Sequence, residues 1–394
     1  MSILKVQKIR HTASNTDVVD IASDGTCRAN IVNNLSNKNI VINGAMQVAQ
    51  RGTSSTLEGF RTVDRFNTVQ SGVDEGPTRE QADVAAGTTP YTLGFRKCFK
   101  MTNGNQTNVG VTDTIKIEYK FEAQDLANSG WDYTSNSSYI TLSFWVKSSV
   151  PQSFKFSFIT WDGSAKMYPM DTGSLSADTW TKITKTIPGA SGISIDNDNN
   201  LGAQINFFQY LGTSYTNNSV TENAWATYGN PQTKVQTDTW YDTNDATFEI
   251  TGVQLEVGSV ATDFEHRSFA QELALCQRYY LDFLSHDGQG TNPISNFSFA
   301  VGTWYNSTNI FCPIRFPVAM RTAPSMESSN NTNDFYALYG VHFQYYNQNV
   351  LSGASNLGAR IRPNVTANQG SSGTCTVLHV ELAASAQLRF NAEL

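Results

Sequence analysis

Apolar and polar residues alternate with a period of two through much of the chain, the pattern of half-buried strands. In residues 114–122, Ile115, Ile117, Tyr119 and Phe121 take one face, and Lys116, Glu118, Lys120 and Glu122 take the other. Residues 139–149 repeat the pattern with Ile140, Leu142, Phe144 and Val146 inward, and 153–161 do so with Phe154, Phe156 and Phe158. Further strands are expected near 64–70, 95–101, 179–187, 204–211 and 246–257. In the last, Phe248 and Ile250 share one parity while Val253, Leu255 and Val257 take the other, so Gly252 marks a β-bulge. Many short strands between Asn-, Ser- and Gly-rich turns predict an all-β, antiparallel sandwich or barrel.

One helix interrupts this pattern. Ser268 and Gln271 form an S-x-x-Q capping box, and Phe269, Leu273, Cys276 and Tyr280 then recur on one helical face, which predicts a helix over 269–280. Strand-like runs resume at 296–301, 308–316, 340–346, 375–382 and 387–393. The chain thus divides into an N-terminal segment (1–38), a β domain (39–267) and a second, smaller β domain led by the short helix (268–394). The first segment holds only small apolar clusters, Leu4 with Val6 and Val18 with Val19 and Ile21. Those are too few to fold alone, so it needs a partner or copies of itself.

Composition narrows the classes. Charged residues make up 15% of the chain, against roughly 25% in an average domain. Its polar surface is therefore built from neutral side chains. Aromatics stand at 11%, which excludes a disordered chain. The 27 Lys and Arg against 34 Asp and Glu leave a net charge of −7, which argues against a nucleic-acid groove. No stretch approaches the roughly 18 apolar residues that membrane insertion needs. Cys27, Cys98, Cys276, Cys312 and Cys375 lie far apart without a CxxC pair, so neither a disulfide framework nor a zinc site is expected. The opening Met1-Ser2-Ile3-Leu4-Lys5-Val6 lacks a secretory apolar stretch, so folding in a reducing cytoplasm is expected.

Residues 39–281 resemble a family of bacteriophage tail-fibre and tail-associated virion proteins. The resemblance begins at Asn39-Ile40-Val41-Ile42-Asn43-Gly44-Ala45-Met46-Gln47-Val48-Ala49-Gln50-Arg51-Gly52, followed by Asp64-Arg65-Phe66. It continues through Ser143-Phe144-Trp145-Val146-Lys147, Trp180 and Ile187-Pro188-Gly189. Its strongest blocks are Ile250-Thr251-Gly252-Val253-Gln254-Leu255-Glu256-Val257-Gly258, Phe264-Glu265-His266-Arg267 and Cys276-Gln277-Arg278-Tyr279-Tyr280. Phe316-Pro317-Val318-Ala319-Met320-Arg321-Thr322-Ala323-Pro324 and Phe390-Asn391-Ala392-Glu393-Leu394 look like the family's C-terminal part. The opening Leu4-Lys5-Val6 with Asp24-Gly25-Thr26 looks like the short head of phage structural proteins.

The resemblance implies a jelly-roll β-sandwich like that of carbohydrate-binding modules, carried by a homotrimeric fibre or tail appendage. Folding in the host cytoplasm would precede assembly into the virion. The 1–38 segment would then attach to other tail proteins, and a host surface polysaccharide would be the ligand. The family's motifs are largely structural, so specificity is expected in the intervening segments 71–94, 124–138, 162–178 and 212–245.

Catalytic chemistry finds little footing in the residues. No H-E-x-x-H, Walker loop, G-x-S-x-G or dinucleotide fingerprint occurs. His286-Asp287 reads as a loop histidine beside a turn residue, and Asp242 with Asp245 or Glu249 with Glu256 follow turn or strand spacing. Asp196-Asn197-Asp198-Asn199-Asn200 begins like a calcium loop, but Leu201 stands where an EF-hand needs Gly, so a solvated turn is expected and no metal or cofactor.

Aromatics are the informative class, because sugars present flat C–H faces to exposed rings. Trp145 shares a face with Thr141, Ser143 and Lys147, and Trp161 with Lys155 and Ser157; each pair can line a sugar platform, a second buried face or a subunit contact. Trp131, Trp225 with Tyr228, and Trp240 with Tyr241 lie in polar turn-like segments, as loop anchors or binding rings. A hairpin between Trp225 and Trp240 would bring both clusters to one end of the sandwich. The resulting expectation is a non-enzymatic tail protein that binds a surface glycan. A purely structural tail or capsid accessory and a glycan-depolymerising tailspike are the alternatives.

Overall fold

In a computed structural model, which describes residues 8–10, 17–21, 27–29, 37–284, 297–331, 333–339, 342–363, 365, 370–381 and 386–394, the strands pair into five antiparallel sheets. The first is a small meander of β1 (Lys8–Arg10), β2 (Asp17–Ile21) and β3 (Cys27–Ala29).

Twelve strands between Ser54 and Val257 form a jelly-roll sandwich of two six-stranded sheets. Its strands are β4 (Ser54–Ser55), β5 (Phe66–Ser71), β6 (Thr78–Asp83), β7 (Lys97–Thr102), β8 (Thr114–Glu122) and β9 (Tyr139–Ser148). They continue as β10 (Lys155–Thr160), β11 (Lys166–Asp171), β12 (Thr181–Pro188), β13 (Leu201–Leu211), β14 (Ala226–Thr227) and β15 (Thr247–Val257). One sheet runs β14-β11-β10-β13-β8-β5 and the other β12-β9-β15-β7-β6-β4. Between them Ile115, Ile117, Tyr119 and Phe121 of β8 meet Phe154, Phe156 and Phe158 and the inward residues of β9, as their alternation requires.

The bulge falls where the parity change demands it. The register of β15 against β9 shifts between Thr251 and Gln254, and Gly252 has φ +63° with Phe95 packed where a Cβ would project. Phe248, Ile250, Val253 and Leu255 all reach one core across this shift, whereas Val257 lies beyond it and is exposed.

The helix is shorter than its periodicity suggests. It spans Phe269–Gln277 and has the capping box at Ser268 and Gln271, but Tyr280 already starts the next strand and Phe269 is exposed. Its buried residues are Glu272 and Cys276, joined by Tyr279 in the turn that follows, because the helix packs on a junction rather than on an apolar sheet.

Beyond it, β16 (Tyr280–Asp282), β19 (Ser325–Ser328) and β25 (Leu388–Asn391) make a three-stranded sheet. β17 (Phe297–Trp304), β18 (Ile310–Arg315), β20 (Phe335–Tyr339), β21 (His342–Tyr346), β22 (Asn349–Ser355), β23 (Gly358–Pro363) and β24 (Cys375–Val380) make a seven-stranded sheet. The two enclose a second core, with Trp304, Phe335, Leu378 and Phe390 at its centre. Cys98, Cys276 and Cys312 are buried unbonded thiols, and Cys375 is exposed; the side chain of Cys27 and the pair His286-Asp287 lie outside the described residues.

Candidate functional site

The motif blocks converge on the seam between the two cores. Asn43 donates to the Val48 carbonyl at 2.8 Å and the Asp64 carbonyl at 3.0 Å. Arg51 lies over the Tyr280 ring and Arg65 over the Tyr279 ring, each at 3.4 Å, and both guanidiniums pair with the Glu393 carboxylate. Arg278 donates to Glu122 at 2.7 and 2.6 Å, and the Tyr279 hydroxyl donates to it at 2.5 Å. Glu122, placed on the solvent face by alternation, is therefore buried, because the second domain supplies its partners. Burial works against the charge of Glu122, yet these donors hold its carboxyl below the ordinary range. At Asp64 burial wins over Arg51 and Gln50, and the pKa rises to about 6. These charges hold a joint together and leave little free for a ligand.

Each predicted ring has a definite place. Trp240 and Tyr241, on a short helix (Thr239–Asp242), are fully buried. Tyr241 stacks on Tyr210 at 4.1 Å and donates to Asp113 at 2.7 Å, while the Trp240 amide donates to Gln152. Neither has a face to offer a sugar. Trp131 is buried edge-on to Phe158 and its indole donates to the Ser138 carbonyl, so it anchors its loop. Trp145 does point away from the main core, but it joins Trp180 and Phe264 over Ala45, Val84, Phe95 and Cys98 in a satellite core that covers this outer face. Trp225 packs on Tyr168 at 5.2 Å and Phe158 at 6.2 Å, with its indole donating to the Pro188 carbonyl at 2.7 Å. No hairpin brings Trp225 to Trp240: the first sits against Phe158 near the end of β10, the second beside Gln152, which precedes that strand.

Trp161 and Tyr228 remain half-exposed and meet edge to face at 4.8 Å. Their setting is the outer face of the β14-β11-β10-β13-β8-β5 sheet. Strand pairing lays Asn67, Glu118, Asn206 and Ser157 side by side across four strands, and Lys120, Gln204 and Ile159 in the row beside them. Asn67 donates to Glu118 at 3.0 Å, and Lys116 pairs with it at 2.5 Å. A strap, residues 212–238, folds back over part of this face. Its β14 pairs with the edge strand β11, and Gln236 donates to the Phe208 and Gln209 carbonyls. Glu222 takes Lys155 at 2.8 Å and Lys234 at 3.4 Å. Burial, and then the Glu118 carboxylate, raise the pKa of Tyr228, which puts its phenol within the field of the polar row.

Several polar atoms along this region are buried without a partner in the protein: Ser157 Oγ, Thr216 Oγ1, Gln236 Oε1 and Trp161 Nε1. Such a cluster is unusual, since buried polar groups are nearly always paired. A groove of about 470 Å³ along the strap is lined by Ser219, Thr221, Trp225, Thr227 and Asn230. Stacking rings, hydroxyls and amides thus meet around one segment.

No family model matches this chain, and no curated protein matches it. Solved structures similar to it include the enzymatically active domain of tailspike protein 4 from bacteriophage CBA120, at 12% identity and TM-score 0.31, covering 56% of this chain and 22% of that one. The chain therefore spans about a fifth of that tailspike domain. A family 11 carbohydrate-binding module from Clostridium thermocellum, in complex with a mixed-linked tetrasaccharide, matches at 13% identity and TM-score 0.25, over 54% and 99% of the two chains. The N-terminal cellulose-binding domain of β-1,4-glucanase C from Cellulomonas fimi matches at 10% and 0.26, over 54% and 99%. Likeness at this level carries no functional argument.

The remaining candidates for chemistry are tied into the scaffold. Glu249 pairs with Lys147 at 2.9 Å, and Glu256 accepts from the Thr262 amide and hydroxyl. In the Asx-rich turn, Asn200 caps on Asp198, and Asn199 exchanges hydrogen bonds with Arg321. Among the described residues no three His, Cys, Asp or Glu side chains are grouped to hold a metal. The polar row Asn67–Glu118–Asn206–Ser157 was not predicted as a unit. Outward parity places Glu118 and Ser157, but only the strand order makes them neighbours.

Proposed function

We propose that this chain is a tail-associated virion protein whose jelly roll recognises a surface glycan through the strap-bearing sheet face, without cleaving it. The observation that carries the glycan reading is the half-exposed Trp161–Tyr228 pair beside a row of amide, carboxylate and ammonium groups. A ring supplies the C–H contact; the row, whose Glu118, Asn206 and Ser157 are buried in this structure, would supply hydroxyl partners on displacement of the strap, which together meet the two requirements of sugar recognition. The virion reading is supported by the resemblance of the motif blocks, which here are used in the domain seam, as befits a scaffold that carries variable segments. In this reading the chain is a homotrimer, assembled into the tail through residues 1–38 after folding in the host cytoplasm. Binding without cleavage is favoured because the carboxylate pairs are held in ion pairs and turns rather than facing one another across a cleft.

The test is to change Tyr228→Ala and Trp161→Ala separately and to measure adsorption to host cells and binding to extracted surface polysaccharide. Loss of one stacking ring is expected to cost about 1–3 kcal/mol, taking base stacking as the analogue, which is about ten- to hundredfold in affinity. Native melting with unchanged binding would remove this face. Release of reducing ends from the polysaccharide would replace binding by cleavage.

A further inference from the structure

A second surface differs from the first in its chemistry. The seven strands of the larger C-terminal sheet contain no Asp or Glu, although the chain as a whole is acidic. They do contain Arg315, Arg360 and Arg362, all exposed on the outer face. Alternation along β18 and β23 sends Ile314, Ala359 and Ile361 into the core and these three side chains out. Pairing sets Pro313 opposite Arg360 and Gly358 opposite Arg315, so these two arginines are diagonal neighbours. Arg362 follows Arg360 two residues on, on the same side.

Arg360 is held in place: its guanidinium lies 4.7 Å from the centre of the Phe311 ring and donates to Ser352, and Phe311 in turn meets Tyr305 at 5.1 Å. Tyr305 is 65% exposed. The guanidinium groups of Arg315 and Arg362 make no hydrogen bond or ion pair among the described residues. Beside Arg315 the strands part, since β17 and β18 pair only at Thr303–Phe311 and Trp304–Ile310. The gap opens a cavity of about 360 Å³ edged by Ser298, Val301, Pro313 and Arg315.

We infer that this face binds an anionic glycan, a polysaccharide carrying carboxylate or phosphate groups. Guanidinium groups match both anions with paired hydrogen bonds. The exposed Tyr305 ring, beside Phe311 and Arg360, supplies a sugar-stacking surface, and the cleft beside Arg315, at the other end of β18, admits a side group. A duplex nucleic acid fits less well. A nucleic-acid site of about 6–10 phosphate contacts needs more cations than the three arginines this face offers.

The experiment uses the full chain in affinity electrophoresis and titration calorimetry at low salt. The probes are a polyuronate, a phosphate-bearing mannan, a neutral β-glucan and a single-stranded oligonucleotide. Binding to the polyuronate, the phosphomannan or both is expected, weakening at least tenfold in 0.5 M salt and in the combined variant R315Q/R360Q/R362Q; which of the two binds identifies the anion. Tyr228→Ala should leave this binding unchanged, which separates it from the jelly-roll face. Should the combined variant not fold, R315Q and R362Q alone, at unpartnered exposed positions, are each expected to weaken binding about threefold. Failure of both anionic glycans to bind overturns the inference. So does undiminished binding by a folded variant, equal or tighter binding of the oligonucleotide, or self-association abolished by the arginine changes.

Discussion

The two outer faces of the jelly roll start from similar strands and end differently. On the β12-β9-β15-β7-β6-β4 sheet, Trp145 and Trp180 are themselves only partly buried, but with Phe264 they pack over Ala45, Val84, Phe95 and Cys98 and add a satellite core. On the opposite sheet the cover is a strap held by edge pairing, one glutamine and an ion pair, and it leaves Trp161 and Tyr228 half-exposed. The difference lies in what the covering segment is made of. Phe95, Phe264 and Val84 bury apolar area, whereas the strap brings Asn, Thr and Gln, which must find hydrogen bonds instead. A face sealed by apolar contact is scaffold; one covered by polar contact can exchange those contacts for a ligand's.

Trp240 gives the largest expected effect and fixes the sealed extreme. It is fully buried, so Trp240→Ala should cost about 3–5 kcal/mol, the range for large aromatic deletions in cores. Denaturant unfolding would report it. A loss below about 1 kcal/mol would mean that this ring is not a core residue.

Asp64 is next, at the seam that both faces share. Burial raises its pKa to about 6 against an ordinary 3.8, so the folded state favours the neutral acid. Stability from this group is fully present below pH 3.8 and is lost as pH rises through about 6. A shift of about two units corresponds to at most about 3 kcal/mol. Asp64→Asn should therefore gain on the wild type between pH 4 and pH 6.5 in paired melting curves. A constant difference across that range would show that Asp64 titrates normally.

Trp145→Ala and Trp161→Ala compare the faces directly. The first should cost about 1–2 kcal/mol, a partial share of the burial worth of a large side chain, and leave glycan binding intact. The second should cost under about 1 kcal/mol and weaken binding. Equal stability losses would erase the distinction between a sealed face and an open one.

Strands were legible where one face is apolar. Thr114–Glu122 is strand over the whole predicted range because both parities are consistent. Thr78–Asp83 and Lys166–Asp171 escaped, the one reading TREQAD with polar residues on both sides, the other broken by Pro169. Burial of Trp240 and Tyr241 was illegible because their flanks are Thr, Asp and Asn. What buries them is Asn103 donating to both backbone carbonyls and Asp113 accepting from the phenol, contacts distant in sequence. Trp161 kept its predicted face because parity in β10 is local information. That Tyr228 meets it depends on β14 pairing with β11, which no periodicity announces.

The smallest effect concerns the strap itself. Glu222 holds Lys155 and Lys234, and Lys155 also reaches Asp171 at 3.4 Å. Burial works against Asp171, yet Lys155 and Lys185 keep its carboxyl below the ordinary range, so that ion pair survives without Glu222. Glu222→Gln should thus lower global stability by no more than about 1 kcal/mol. Its local consequence is larger in kind: the strap loses a tie to the sheet, while its β14 pairing and the Gln236 bonds remain. Amide exchange in 216–236 should quicken severalfold, with 139–148 unchanged, because opening free energies differ from segment to segment. Unchanged exchange in the strap would assign its hold to backbone pairing alone, and equal acceleration in β9 would show that the two faces open together.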